Sequence, residues 1–235
     1  MRPGSTTMWE SNIAAWTAQR TVHAVEILGK AGLSVQGRPI RDADDQAAWL
    51  AATLRGLELG PAHVLGVSSG GWLVVNLALH DPDPVASLSL IDPACVFGRF
   101  PLKIVVASLA TLPAAPKFLR NRTLRWISGG VAVDDEPIAR VIASAMTEFR
   151  LAVPAPTYPG DDELRALRVP TLALIAGRSE IHDGRKAFER ARSLLPDVRA
   201  ELWPEATHSV TGQFSDEVNA VVLDFLRRVD DRRSE

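Results

Sequence analysis

Hydrophobic positions along this chain follow two alternating rhythms. Short, nearly continuous apolar runs end in a glycine or a polar turn: Thr21 to Leu28 (TVHAVEIL), Ala62 to Val67 (AHVLGV), Val85 to Asp92 (VASLSLID), Val169 to Gly177 (VPTLALIAG) and Val198 to Trp203 (VRAELW). Such runs predict strands buried on both faces, as in a parallel sheet. Between them apolar residues recur at helical spacing. Ala47, Leu50, Ala51, Leu54 and Leu57 mark a helix over Asp42 to Leu57, with Asp42, Asp44 and Asp45 in the first turn, where acids suit the helix dipole. GGWLVVNLALH predicts a second helix, and Ala187, Phe188, Ala191, Leu194 and Leu195 a third, stopped by Pro196. In the last helix Val218, Val221, Val222, Phe225 and Leu226 form the buried stripe, with Ser215 as its expected cap. Strand and helix in alternation predict an α/β domain with a mostly parallel sheet and helices on both faces.

From Pro93 to about Leu167 that rhythm lapses. Helical patches at Ile104 to Leu112, Lys117 to Ile127 and Glu136 to Leu151 lead into the proline-rich VPAPTYPG, the pattern of an inserted helical cap. The expected organisation is a first part of the core over residues 1–95, a helical cap over 96–167, and a second part of the core over 168–235.

Composition narrows the partners. The 235 residues suit one domain with a substantial core, 46% of them being apolar. A formal charge of -2, from 26 basic and 28 acidic residues spread along the chain, gives no field to steer nucleic acid or an anionic membrane, so a small and mostly uncharged molecule is the expected partner. One cysteine, Cys95, supports neither a disulfide framework nor a cysteine-based metal site, and the N-terminus lacks the order of a secretory signal; a cytoplasmic address is the expectation. No apolar run approaches transmembrane length.

The chemistry gathers at turns that follow strands. Gly66-Val67-Ser68-Ser69-Gly70 is a Gly-x-Ser-x-Gly pattern. By chance alone it arises in roughly one chain in ten of this size, so its context decides. Here it lies between an apolar strand and a helix, where a nucleophile elbow belongs, with Gly66 and Gly70 expected to keep side chains from colliding in a strained turn. A serine needs a base, and the base an orienting acid. Of the five histidines, His208 in PEATHSV follows the final strand, where an imidazole can overhang the strand ends. His23, His63 and His80 read as structural, and His182 as pocket wall or helix start. For the acid, Glu180 follows the strand that ends at Gly177; Asp183 and Asp92 are rivals. The order Ser68, Glu180, His208 is that of an α/β-hydrolase triad. Gly29-Lys30 hints at a phosphate-binding loop, yet Ala31 stands where Ser or Thr is needed and Ala24 where the first glycine belongs.

HVLGVSSGGW, VASLSLIDPA, VPTLALIAGRSEIHD and WPEATH together resemble the α/β-hydrolase fold family, serine carboxylesterase type, over nearly the whole chain. The resemblance implies a cap over the site, no cofactor, and hydrolysis of a small, mostly apolar ester. Ser68 would attack the carbonyl, His208 would shuttle the proton, Glu180 would hold the imidazolium, and the backbone N–H of Ser69 would bind the oxyanion. The family's sheet also has three strands before the one expected at Thr21 to Leu28, the third ending in a His-Gly loop with a second oxyanion donor. Those strands need about 25 to 35 residues, and only MRPGSTTMWESNIAAWTAQ is available. A shortened N-terminus is therefore expected, with an unpaired sheet edge that favours poor solubility or self-association and turnover slowed about a hundred- to a thousandfold. Carbon-carbon bond hydrolases and cofactor-free haloperoxidases share the serine triad, and a non-catalytic ligand-binding relative is the alternative from another class. Trp72, Trp126, Phe97 and Phe100 are candidates for an apolar pocket, although such positions more often belong to the core.

Overall fold

A computed structural model describes residues 9–109, 116, 118–119, 122–123 and 153–234. Its centre is a four-stranded sheet in the order β1-β2-β3-β4, with β1 Ala62–Val67, β2 Val85–Ile91, β3 Thr171–Ala176 and β4 Val198–Trp203. All neighbours pair in parallel, so every strand ends on the same edge. Helices α1 (Glu10–Thr17), α2 (Ala43–Gly56), α3 (Ser69–His80), α4 (Leu102–Leu109), α5 (Asp161–Ala166), α6 (Gly184–Leu194), α7 (Val210–Gln213) and α8 (Ser215–Ser234) surround it.

Alternation along the strands divides the interior in two. Leu88, Leu90, Ala173 and Ile175 face Leu50 and Leu54 of α2, Trp72 and Val75 of α3, and Ala187 and Ala191 of α6. Leu172, Leu174, Ile91 and Ala176 face the other way, onto Val218, Val222 and Phe225 of α8. Each fully buried Leu or Ile contributes about 1.5–3 kcal/mol relative to exposure, and the two-sided burial explains why β2 and β3 read as continuous apolar runs. Helix α2 starts at an N-cap, Asp42, whose carboxylate accepts the Asp45 N–H at 2.8 Å. Ser215 opens α8 from inside the helix instead of capping it.

The strand expected at Thr21–Leu28 does not form. Residues 21–27 are irregular and largely exposed or half-buried, and no strand among the described residues stands beside them or on the outer edge of β1. A strand is held by its ladder, and a β-rich run without a ladder partner has nothing to fix it. Helix α1, by contrast, arises in a stretch that reads as polar. Its buried face is Asn12 and Trp16, one turn apart, and Asn12 Nδ2 donates to Asn219 Oδ1 of α8 at 2.9 Å.

Of the expected cap, α4 covers the first patch, while the helices expected at Lys117–Ile127 and Glu136–Leu151 lie almost entirely outside the described residues. The chain's return to the core is clamped. The Tyr158 ring lies between the guanidinium groups of Arg99 and Arg190, 4.2 and 4.4 Å from its centre. Arg190 also donates to the carbonyls of Val96 and Pro159 at 2.6 and 2.9 Å. Among the described residues no helix is long and apolar enough to cross a membrane.

Candidate active site

The chain leaves β1 through Ser68 and enters α3 at the next residue. Ser68 has φ 53 and ψ -120, a conformation that disfavours any side chain and costs about 1–3 kcal/mol. The surroundings hold it there: its N–H donates to Ile91 O at 3.1 Å, and its carbonyl accepts from Ala94 N–H at 2.9 Å and Trp72 N–H at 3.3 Å. Gly66 is indispensable, because a Cβ there would lie 2.4 Å from the Gly70 carbonyl group. The expectation for Gly70 itself is corrected: a Cβ there meets nothing within 4 Å, and it is Gly71 whose added Cβ would strike Pro93 at 2.7 Å.

His208 hangs from the loop after β4. Its Nε2 is 3.0 Å from Ser68 Oγ, and its Nδ1 is 2.6 Å from a carboxylate oxygen. That carboxylate belongs to Asp92, and the structure does not bring Glu180 to the imidazole. Asp92 follows β2, the strand next to β1, and takes the left-handed conformation (φ 41). Its side chain is sealed from solvent and lies against the end of β3, accepting from Ala176 N–H at 3.1 Å and Ser179 Oγ–H at 2.6 Å. Glu180, the residue after Ser179 on the exit from β3, instead meets Lys103 Nζ of α4 at 2.8 Å, with 28% of its side chain exposed. The rival Asp183 caps α6, accepting the Lys186 N–H at 3.1 Å.

A second imidazole shares the Asp92 carboxylate. His182 Nε2 lies 2.9 Å from Asp92 Oδ1, and the ring is fully buried. Since a carboxylate only accepts, both rings donate to it: His182 from Nε2 and His208 from Nδ1. His208 therefore presents the bare Nε2 to the serine hydroxyl, as a general base must. His182 keeps a bare, buried Nδ1 that has no partner among the described residues. Burial alone would push the Asp92 carboxyl up, but the hydrogen bonds that His182 and His208 donate to it hold it far below the usual carboxylate range.

Ser69 is the first residue of α3, so its N–H has no partner within the helix and lies at the end where the helix dipole favours negative charge. The Ser69 hydroxyl accepts a hydrogen bond from Lys30 Nζ at 2.6 Å. The remaining histidines are elsewhere: His63 bridges Ser87 and Asp230, His80 meets Asp44, and His23 is exposed. Trp72 and Phe97 are core residues, and Trp126 lies outside the described residues. Among the described residues no group of three or more His, Cys, Asp and Glu is arranged to hold a metal ion.

The sequence favours Glu180, with Asp183 and Asp92 as rivals, and reads His182 as pocket wall or helix start and not as a partner of the acid. The available signal is an acid ending the mostly apolar VASLSLI. A carboxylate there is buried, and a buried carboxylate needs donors, which the two downstream histidines supply. The arrangement as a whole is a hydroxyl, a base and an acid in line, with backbone N–H positive potential beside the hydroxyl: the equipment for acyl transfer through a covalent serine intermediate.

A model of the alpha/beta hydrolase family matches residues 3–221. Carboxylesterase YbfK of Bacillus subtilis (strain 168) is 30% identical over 232 residues, spanning 94% of this chain and 76% of its own. The crystal structure of naproxen esterase (carboxylesterase NP) from Bacillus subtilis superposes with a TM-score of 0.84 at 29% identity, over 94% of this chain and 79% of that one. A meta-cleavage product hydrolase from Pseudomonas fluorescens IP01 shares the fold alone, at 18% identity and a TM-score of 0.77 over 96% of this chain and 86% of that one.

Proposed function

Because the chain belongs to the alpha/beta hydrolase family, we propose that it is a serine carboxylesterase acting on a small, mostly apolar ester through Ser68, His208 and Asp92. The observation that carries this reading is the continuous line from Ser68 Oγ to His208 Nε2 (3.0 Å) and from His208 Nδ1 to Asp92 (2.6 Å). Its relatives named carboxylesterase give the substrate class.

In the first half-reaction the Ser68 proton passes to His208 Nε2 as Oγ bonds to the ester carbonyl carbon. The carbonyl oxygen becomes an oxyanion facing the Ser69 N–H, and the imidazolium is stabilised by the Asp92 anion. The intermediate collapses with loss of the alcohol, which takes the proton from His208, leaving an acyl-Ser68. In the second half, water gives a proton to His208 and attacks the acyl carbon. Ser68 recovers the proton as the carboxylic acid leaves. The protein needs no cofactor for either half.

The division into a core of residues 1–95 and 168–235 with a cap over 96–167 is part of this reading, supported by the Lys103–Glu180 pair that joins α4 to the loop after β3. A cytoplasmic setting accords with the lone, free Cys95. Intact-mass spectrometry after incubation with a fluorophosphonate tests the central point. A single adduct on the parent protein, lost in Ser68→Ala and His208→Ala, is the expected result. A folded parent that takes no adduct would favour a ligand-binding relative without turnover.

A further inference from the structure

Lys30 has no part in the triad, and a phosphate-binding loop, the other use its sequence suggested, lacks the residues it needs. Yet the fold buries it. Gly29, at φ 76, turns the chain so that Lys30 N–H meets Ile27 O at 3.1 Å, and the side chain enters the protein with 9% of the residue exposed. The ammonium reaches Ser69 Oγ at 2.6 Å, a neutral acceptor on the first residue of α3, next to the nucleophile. Burial lowers its pKa to about 8. The titratable groups around it are few. Glu26, on its own segment, lies against Gly32; α3 carries no acid in its first turn; the neighbouring Ser68 is met by the His208 imidazole, which is bonded in turn to Asp92.

A buried cation with a neutral partner is electrostatically unfinished in the resting protein. The anion that completes it arises only during the reaction, when the ester carbonyl oxygen becomes negative beside Ser69. An interaction realised only then accelerates the chemical step instead of tightening substrate binding. Resting on the esterase reading above, we propose that Lys30 supplies positive charge to the oxyanion side of the site, held in place by the Ser69 hydroxyl.

The test is the second-order rate of Ser68 phosphonylation by a fluorophosphonate from pH 6 to 10. In that reaction the Oγ–P bond forms, the P–F bond breaks, fluoride leaves, and an anionic phosphoryl oxygen occupies the same position. Hydrolysis of p-nitrophenyl acetate is followed in parallel, on the parent, Lys30→Met and Lys30→Arg. Because the ammonium loses its proton as pH rises through about 8, the parent should slow above that pH. Lys30→Met should be slower by about tenfold or more below pH 8, should lack the alkaline decline, and should change kcat with little change in KM. Lys30→Arg should keep its rate to pH 10. Lys30→Met should also melt no lower than the parent at pH 7, since it removes a buried charge.

Equal labelling of parent and Lys30→Met at every pH would overturn the role of Lys30 and leave the esterase standing. A lower melting temperature in Lys30→Met with no rescue of rate by Lys30→Arg would make Lys30 structural and overturn it too. No labelling and no hydrolysis by a folded parent would remove the esterase reading, and this inference with it.

Discussion

Asp92 shows how much a single carboxylate depends on its neighbours. It accepts from His182, His208, Ser179 and Ala176, and it stays ionised in a site without solvent because those donors take the place of water. Hydrogen bonds to a charged group are worth about 1.5–3 kcal/mol each. His182→Gln, which shortens one donor and empties part of a buried site, should therefore lower the melting temperature and reduce kcat by about tenfold, leaving KM nearly unchanged. Steady-state kinetics on an ester with a chromogenic leaving group checks this. Unchanged kcat would mean that three donors suffice to position the acid. Ser68, His208 and the elbow glycine Gly66 were legible in the sequence because each sits at a strand exit with a distinctive neighbourhood. Glu180 was favoured on the same logic, since it too follows a strand on the same edge. What sequence could not weigh was depth: Asp92 turns in at φ 41 against the end of β3, while Glu180 turns out to Lys103.

At the scale of elements, the elbow couples β1 to α3 through a contact that one methyl group would break. Gly66→Ala would drive Cβ to within 2.4 Å of the Gly70 backbone, whereas Gly70→Ala meets open space. Gly66→Ala should lose soluble expression or labelling at Ser68; Gly70→Ala should keep both. Thermal melts with fluorophosphonate labelling separate the two variants. The buried strands and the amphipathic α2, α6 and α8 were readable because two-sided burial and 3.6-residue spacing leave plain patterns. Thr21–Leu28 has the composition of a strand but no ladder, and composition cannot report a missing partner. Helix α1 is the converse, a helix whose buried contact is an Asn12–Asn219 hydrogen bond that hydrophobic periodicity does not register.

Across the whole molecule, two properties follow from the same layout. No strand among the described residues covers the outer edge of β1, and an uncovered edge is a template for pairing with a second copy. Sedimentation velocity should show association that rises with concentration; a monomer at all concentrations would show that other contacts protect the edge. The second property is acid sensitivity. Asp92 has its carboxyl pKa lowered by folding, so its contribution to stability is full above about pH 4, near the ordinary carboxylate value of 3.8, and is lost as pH falls toward its depressed folded value. The gap in melting temperature between the parent and Asp92→Asn should be widest near neutrality and shrink below pH 4. The central claim is that His208 is served by Asp92 and not by Glu180. The most direct measurement is kcat for p-nitrophenyl acetate in Asp92→Asn and Glu180→Gln, both shown to be folded by circular dichroism. The account predicts a loss of about 10³–10⁴-fold for Asp92→Asn and a change within about threefold for Glu180→Gln, whose carboxylate serves a partly exposed ion pair. The reverse ranking would contradict it.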